Sequence, residues 1–194
     1  LVYSREYLSN INPQDDIQRY SFRFGYFTQL ICDILWMKYP GETTKKAFHK
    51  MIAEDKLKAW DKIKDDWYGL DQLYNRANPE NLFWRVIHKT PSPPSYLPFV
   101  NEKALHHQYE HIRKFYGEPD PEFFIERKFP YLNESTMARI VGDTLNATLL
   151  VIEKLKNIDI QNLQSSSEIL PAELMLPYQT PLGDIYFCNS FRLT

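Results

Sequence analysis

Glycine and cysteine are both scarce in this chain, and their scarcity excludes several classes of protein. Only six glycines occur in 194 residues, so few backbone positions can adopt a positive φ at low energetic cost. The chain contains no P-loop, no dinucleotide-binding glycine pattern and no GxSxG nucleophile motif. Little therefore supports an enzyme, and we predict neither a catalytic residue nor a cofactor.

The cysteines and the hydrophobic runs bear on the compartment. Cys32 and Cys188 lie far apart in apolar stretches, which argues against a disulfide framework and favours a reducing environment. The most apolar stretch, Leu30 to Met37, is interrupted by Asp33 and is too short to cross a bilayer. No charged segment followed by an apolar one opens the sequence. We expect an intracellular, cytoplasmic protein that does not insert into a membrane.

Aromatic residues and helical patterns are abundant. Aromatic side chains make up 15% of the chain, and such residues enlarge cores or line interfaces. Asn12 and Pro13, followed by Asp15 and Asp16, predict the start of a helix. Apolar residues cover two sides of this helix from Ile17 to Tyr39. The helix therefore lies either at the centre of a bundle or in a homodimer contact.

Proline divides the chain into segments. The run from Thr90 to Pro98 cannot be helical and forms a stiff connection, so it marks a boundary between lobes. We predict a mainly α fold class, a helical bundle followed by a winged-helix-like unit. The segments are a helical N-terminal lobe at 1–90, a Pro-rich link at 91–100, connecting helices at 101–128 and a final unit at 129–194.

The final unit contains the one motif that suggests a mechanism. Between Asn133 and Ile160, the small residue Ala138 precedes Gly142 by four positions. Because glycine permits a tight turn between closely crossing helices, the spacing predicts two short helices that meet at Gly142. A segment with strand character follows at 172–191, and its central turn residues predict a β-hairpin.

Two short helices followed by a hairpin resemble the winged helix-turn-helix superfamily, over about the last third of the chain. The resemblance implies that Asp143 to Asn157 form a recognition helix and that the hairpin forms the wing. It implies a regulatory or accessory DNA-binding protein. The resemblance also implies that Asn146 contacts the edge of a base. It implies that three basic side chains contact phosphates, namely Lys154, Lys156 and Arg192.

Charge leaves the ligand of this unit open. Residues 129–194 hold four basic and seven acidic side chains, whereas DNA affinity depends on neutralising phosphates. The second helix also exposes Leu145 and Leu149 near its start. The alternative function is a helical protein–protein interaction module, in which the winged helix is only a docking surface. A positive outer face of the second helix favours DNA, and an apolar or acidic face favours a protein partner.

Histidines and paired acids are the remaining candidates for chemistry. His107 and His111 are four residues apart and share a helix face, so they bind zinc if a third ligand approaches, as in a metal-dependent hydrolase. Because no HExxH or CxxC motif accompanies them, we interpret them as part of a solvated basic face and predict no metal. The adjacent acids Asp15–Asp16 and Asp65–Asp66 point to different sides of their helices, so we interpret them as caps and solubility residues.

Overall fold

The computed structural model describes residues 2–37, 42–118 and 127–156, and this part of the chain is mainly helical, as the sequence predicts. It contains seven α-helices and one π-helical turn and no β-strand. Within the same residues, no helix is both long and apolar enough to cross a membrane. The elements are α1 (Val2–Tyr7), α2 (Ile17–Trp36), α3 (Glu42–Ala47), α4 (His49–Glu54), α5 (Lys56–Ala77), the π-helical turn (Phe83–Ile87), α6 (Glu102–Gly117) and α7 (Glu134–Lys156).

The elements form two compact units that are interleaved along the sequence. Unit 1 combines residues 1–47 with the chain from Ile140 onward, and unit 2 consists of Phe48–Arg139. The Pro-rich link 91–100 therefore lies inside the sequence span of unit 2. α7 spans the division: its first residues, up to Arg139, belong to unit 2, and the rest, from Ile140, belongs to unit 1.

Local capping fixes the start of α2, and its apolar spacing places it in the core of unit 1. The carboxylate of Asp16 accepts a hydrogen bond from the backbone N–H of Arg19 at 3.0 Å, so α2 begins at Ile17, a few residues after the predicted start at Asn12 and Pro13. One face of α2 is buried against one face of α7. The residues of this core are Phe27, Ile31 and Leu35 of α2 with Ala147 and Val151 of α7, surrounded by Tyr3, Leu8, Phe24 and Leu155.

The second apolar side of α2 is half-buried. Phe22, Tyr26 and Leu30 are each partly exposed, whereas the buried face is 5% exposed or less. The ring of Tyr26 stacks on that of Tyr3 of α1 at 5.4 Å, and the hydroxyl of Tyr3 donates to the carbonyl of Arg23 at 2.9 Å. α1 therefore covers part of this side. Homodimer formation through the helix from Ile17 to Tyr39 stays a prediction, and Tyr39 lies outside the described residues.

Two long helices organise unit 2. Asp55 caps α5 by accepting from the N–H of Lys58 at 3.1 Å, and Asn101 caps α6 by accepting from the N–H of Ala104 at 3.1 Å. The start of α6 agrees with the prediction of connecting helices from residue 101. Side-chain hydrogen bonds then join the two helices. Gln72 donates to the carbonyl of Phe115 at 2.9 Å, and Tyr116 donates to Asp71 at 2.7 Å.

A buried carboxylate holds the segment before α7 against α5, where the sequence predicted a solubility residue. Asp66 is 0% exposed. It forms an ion pair with Arg127 at 2.5 Å and accepts from the backbone N–H of Tyr131 at 2.6 Å and of Leu132 at 3.3 Å. The interpretation of Asp66 as a solvated acid is wrong, because its side chain is buried and hydrogen-bonded. Its three partners lie more than sixty residues further along the chain. Asp65 beside it is exposed.

The final unit differs from its prediction at Gly142. α7 is one continuous helix from Glu134 to Lys156, so the two short helices and the turn between them are wrong. Among the residues that the structure describes, a Cβ added at Gly142 would meet no atom within 4 Å, so no close helix crossing is seen there. The predicted β-hairpin at 172–191 lies outside the described residues.

Candidate interaction surface

The sequence before α7 fixes where this helix begins. The side-chain oxygen of Asn133 accepts from the N–H of Thr136 at 2.9 Å and from the hydroxyl of Ser135 at 2.8 Å. Asparagine at this position satisfies a backbone donor that the helix itself leaves open. Glu134 then adds a negative charge to the first turn, near the positive end of the helix dipole. α7 therefore starts as a rigid element at a defined residue.

The inner face of α7 completes the core of unit 1. Ile140 and Val151 are each 1% exposed, and Ala147 is 4% exposed. Burial raises the pKa of the Cys32 thiol on α2, an effect that the hydroxyl of Thr148 on this face partly offsets. A thiol with a raised pKa is a poor nucleophile at neutral pH. The inner face of α7 is therefore part of the core of unit 1.

The outer face of α7 is apolar and exposed. Val141 is 57% exposed, Leu145 57% and Leu149 55%. These three residues follow one another at intervals of four, so they form a continuous row along one side of the helix. We call this row the outer stripe. The exposure of Leu145 and Leu149 confirms the sequence prediction, and the same spacing makes Val141 a member that the sequence reasoning missed.

α7 carries no excess of positive charge. Its acids are Glu134, Asp143 and Glu153, and its bases are Arg139, Lys154 and Lys156. The two sets balance, so the helix lacks the net positive charge on which phosphate binding depends. A positive outer face would favour DNA as the partner, and an apolar outer face favours a protein. The described outer face of α7 is apolar.

The residues predicted to contact DNA do not form one described site. Asn146 is exposed on α7, next to the outer stripe, and Lys156 is exposed at the end of the helix. Lys154 belongs to α7, but its side chain is not among those described. Arg192 lies outside the described residues. Binding of DNA by these four residues stays a prediction, although α7 is continuous at Gly142, where the sequence predicted a turn.

The histidines of α6 stand on a solvated face. His107 and His111 are both exposed, and the ring of His111 stacks on that of Phe115 at 6.1 Å between centroids. Within residues 2–37, 42–118 and 127–156, no three side chains of His, Cys, Asp or Glu are grouped to hold a metal ion. The hydrolase hypothesis gains no support from this arrangement.

A cleft of about 380 Å³ lies at the end of α5. It is lined by Tyr74, Ala77, Asn78, Pro79, Glu80 and Asn81. Its amide side chains are already used within the protein. Asn78 donates to the carbonyl of Tyr74 at 2.9 Å, and Asn81 donates to the side-chain oxygen of Asn75 at 2.7 Å. The amide N–H groups of the cleft are therefore engaged within the protein, and the outer stripe of α7 is the stronger candidate surface.

Comparison of the chain with protein-family models, with curated proteins and with solved structures gave no match. No residue role is therefore carried over from a relative. The resemblance to the winged helix-turn-helix superfamily stays a prediction. The exposure, spacing and charge of the residues of α7 are the properties that bear on function.

Proposed function

We propose that this chain is a helical protein–protein interaction module that binds an apolar helix of its partner through the outer stripe of α7. The observation that supports the proposal is the exposure of Val141, Leu145 and Leu149 on a helix whose opposite face is buried in a core. Contiguous exposed apolar side chains are characteristic of interaction sites. Apolar residues spaced by one helical turn are the pattern by which helices bind apolar partners.

The exposed residues of the outer stripe supply part of the energy that a specific contact needs. Each of the three residues is slightly more than half exposed. Burying the exposed part of a Val or Leu side chain stabilises by roughly 1 kcal/mol, so the stripe contributes about 3 kcal/mol before neighbouring contacts are added. The helix is already folded against α2, so binding does not require the ordering of a disordered segment.

A photo-cross-linking experiment tests the proposal. The cross-linking amino acid p-benzoylphenylalanine replaces Leu145 in the full chain, and the cells that express it are irradiated. We expect a covalent adduct with another polypeptide. The matched control carries the same amino acid at Leu57 of α5, which is 79% exposed and is followed at i+4 by Asp61 and at i+7 by Lys64. The control is expected to give little or no adduct.

Other outcomes contradict the proposal. A product of unchanged mass that is cross-linked only within the chain means that residue 145 faces its own polypeptide. No product at all, or equal yields from positions 145 and 57, means that the stripe is not a docking surface. The mass of an adduct, set against the 23.1 kDa of one chain, also identifies whether the partner is a copy of this chain.

A titration with DNA separates this function from the one implied by the superfamily resemblance. Labelled duplex DNA of mixed sequence is titrated by fluorescence anisotropy at about 50 mM salt, where electrostatic binding is strong. If the chain is a protein–protein interaction module, we expect no measurable affinity for the DNA. Binding that Lys154→Glu with Lys156→Glu abolishes would favour the DNA-binding function instead, because these substitutions remove two cations from α7.

A further inference from the structure

We infer that the partner of the outer stripe is a second copy of this chain, bound antiparallel so that the two α7 helices cross at Leu145. The inference rests on the proposed function, since it names the occupant of the same surface. Two properties of α7 support it. The spacing of the residues along the stripe is symmetric about Leu145. The first and last residues of α7, Glu134 and Lys156, carry opposite charges.

The symmetry of the spacing is visible when the stripe is extended in both directions. At 3.6 residues per turn, seven residues of α7 project within an arc of about 80° around the helix axis. They are Glu134, Ala138, Val141, Leu145, Leu149, Ile152 and Lys156. Starting from Leu145, the successive steps are four, three and four residues toward either end. This makes an 11-residue repeat on each side, which keeps a row straight along an α-helix.

A surface of this kind is complementary to itself under a two-fold rotation. A contact between identical surfaces requires that residue i of one copy faces residue j of the other and that j faces i. With the axis at Leu145, Val141 faces Leu149 and Ala138 faces Ile152, each pair occurring twice. The apolar residues are thus all paired with apolar residues, and Leu145 packs on its own counterpart.

The charges select the antiparallel orientation. In that orientation Glu134 of each copy faces Lys156 of the other, so each end of the contact has one pair of opposite charges. Both residues are exposed in the single chain and can reach across to the other helix. In a parallel pair Glu134 would face Glu134 and Lys156 would face Lys156. Like charges placed across a helix pair destabilise it, so the parallel arrangement is disfavoured.

The alternative dimer surface on α2 lacks these properties. Phe27, Ile31 and Leu35 already pack on α7 within the core of unit 1. The ring of Tyr26 on the other side stacks on Tyr3. The outer stripe of α7 therefore offers the row of apolar residues with the higher exposure, and self-association is assigned there.

Sedimentation equilibrium tests the association. The wild-type chain is expected to shift toward twice 23.1 kDa as its concentration rises to about 100 µM, the range of a weak interface. Leu145→Glu places two carboxylates against each other at the two-fold axis and should abolish the shift. Leu57→Glu makes the same change on exposed α5 and should leave it intact. Circular dichroism checks that both variants keep their helix content.

A charge exchange tests the orientation. Glu134→Lys and Lys156→Glu should each weaken the dimer roughly tenfold, because two attractive pairs become repulsive. The two variants mixed together, or the double variant alone, should recover wild-type affinity. Loss of helix stability cannot explain that recovery, since the double variant has the less favourable charge at both helix ends. Glu54→Lys, at an exposed site of α4, is the control and should have no effect.

Each other result overturns the inference. A monomer at all concentrations, or a dimer that tolerates Leu145→Glu, excludes self-association through the stripe. A dimer in which the double variant is no stronger than the single variants excludes the antiparallel orientation. The proposed function fails separately. If the wild type is a monomer but position 145 cross-links to a polypeptide of another mass, the stripe binds a different protein and only the present inference is wrong.

Discussion

Replacement of Asp66 is the most severe test of the contacts that hold unit 2 together. Asp66→Ala removes a carboxylate that is 0% exposed and accepts from Arg127, Tyr131 and Leu132. The guanidinium side chain is 26% exposed and regains some water, but both backbone N–H groups lose their acceptor. Removing one partner of a buried ion pair lowers the free energy of unfolding by about 3–5 kcal/mol. That total includes about 1–3 kcal/mol for each buried N–H donor that is left without an acceptor.

We therefore expect Asp66→Ala to lower the free energy of unfolding of unit 2 by about 3–5 kcal/mol. With a urea dependence near 2 kcal/mol per M, the urea midpoint falls by about 2 M. Tryptophan fluorescence follows the change, since Trp60, Trp67 and Trp84 all belong to unit 2. Asp66→Asn keeps the shape and one acceptor oxygen, so its cost should be smaller.

Asp65→Ala provides the matched control. Asp65 is adjacent and exposed, so its replacement should change the free energy of unfolding by no more than about 0.5 kcal/mol. If Asp66→Ala and Asp65→Ala have midpoints that agree within experimental error, the buried carboxylate does not stabilise unit 2 and the reasoning is refuted.

Two further predictions concern glycines and a buried acid. Gly69→Ala should destabilise unit 2 by about 1–3 kcal/mol, because its Cβ would lie 2.6 Å from a ring carbon of Phe129. Gly142→Ala should stabilise α7 by about 0.5–1 kcal/mol, because alanine favours the helix more than glycine does. Thermal melts in which both substitutions shift the melting temperature in the same direction would contradict this pair of predictions. Burial raises the pKa of the Asp71 carboxyl, so its protonated form contributes stability that is fully present below the unfolded pKa, about 3.9, and is lost as pH rises through the folded pKa. Asp71→Asn should therefore show a higher urea midpoint than wild type at pH 7 and an equal one below about pH 4; an unchanged difference across that range would refute the assignment.

Helix starts could be predicted from the sequence because capping is a local interaction. Asp16, Asp55 and Asn101 each accept from a backbone N–H three residues further on. The donor and the acceptor are close in the chain whatever the rest of the fold does. The exposure of Leu145 and Leu149 was predictable for a similar reason, since the periodicity of one helix determines which residues share a face.

The failures of prediction arise where distant residues or competing local preferences decide the structure. The burial of Asp66 depends on Arg127, a partner 61 residues away that no local pattern identifies. At Gly142 the prediction took a permissive residue as evidence for a turn. Glycine lowers helix stability by only about 1 kcal/mol. Burial of Ile140 and Val151 on either side of it is enough to keep α7 continuous.

The interleaving of the two units has a consequence for the order in which the chain folds during synthesis. All of Phe48–Arg139 leaves the ribosome before the part of α7 that packs on α2. Until Ala147 and Val151 emerge, Phe27, Ile31 and Leu35 lack the α7 side of their core. The face of α2 that packs on α7 is therefore uncovered for as long as the segment between the two helices is being made, and an apolar face left open during synthesis is a site at which a chain can misassemble.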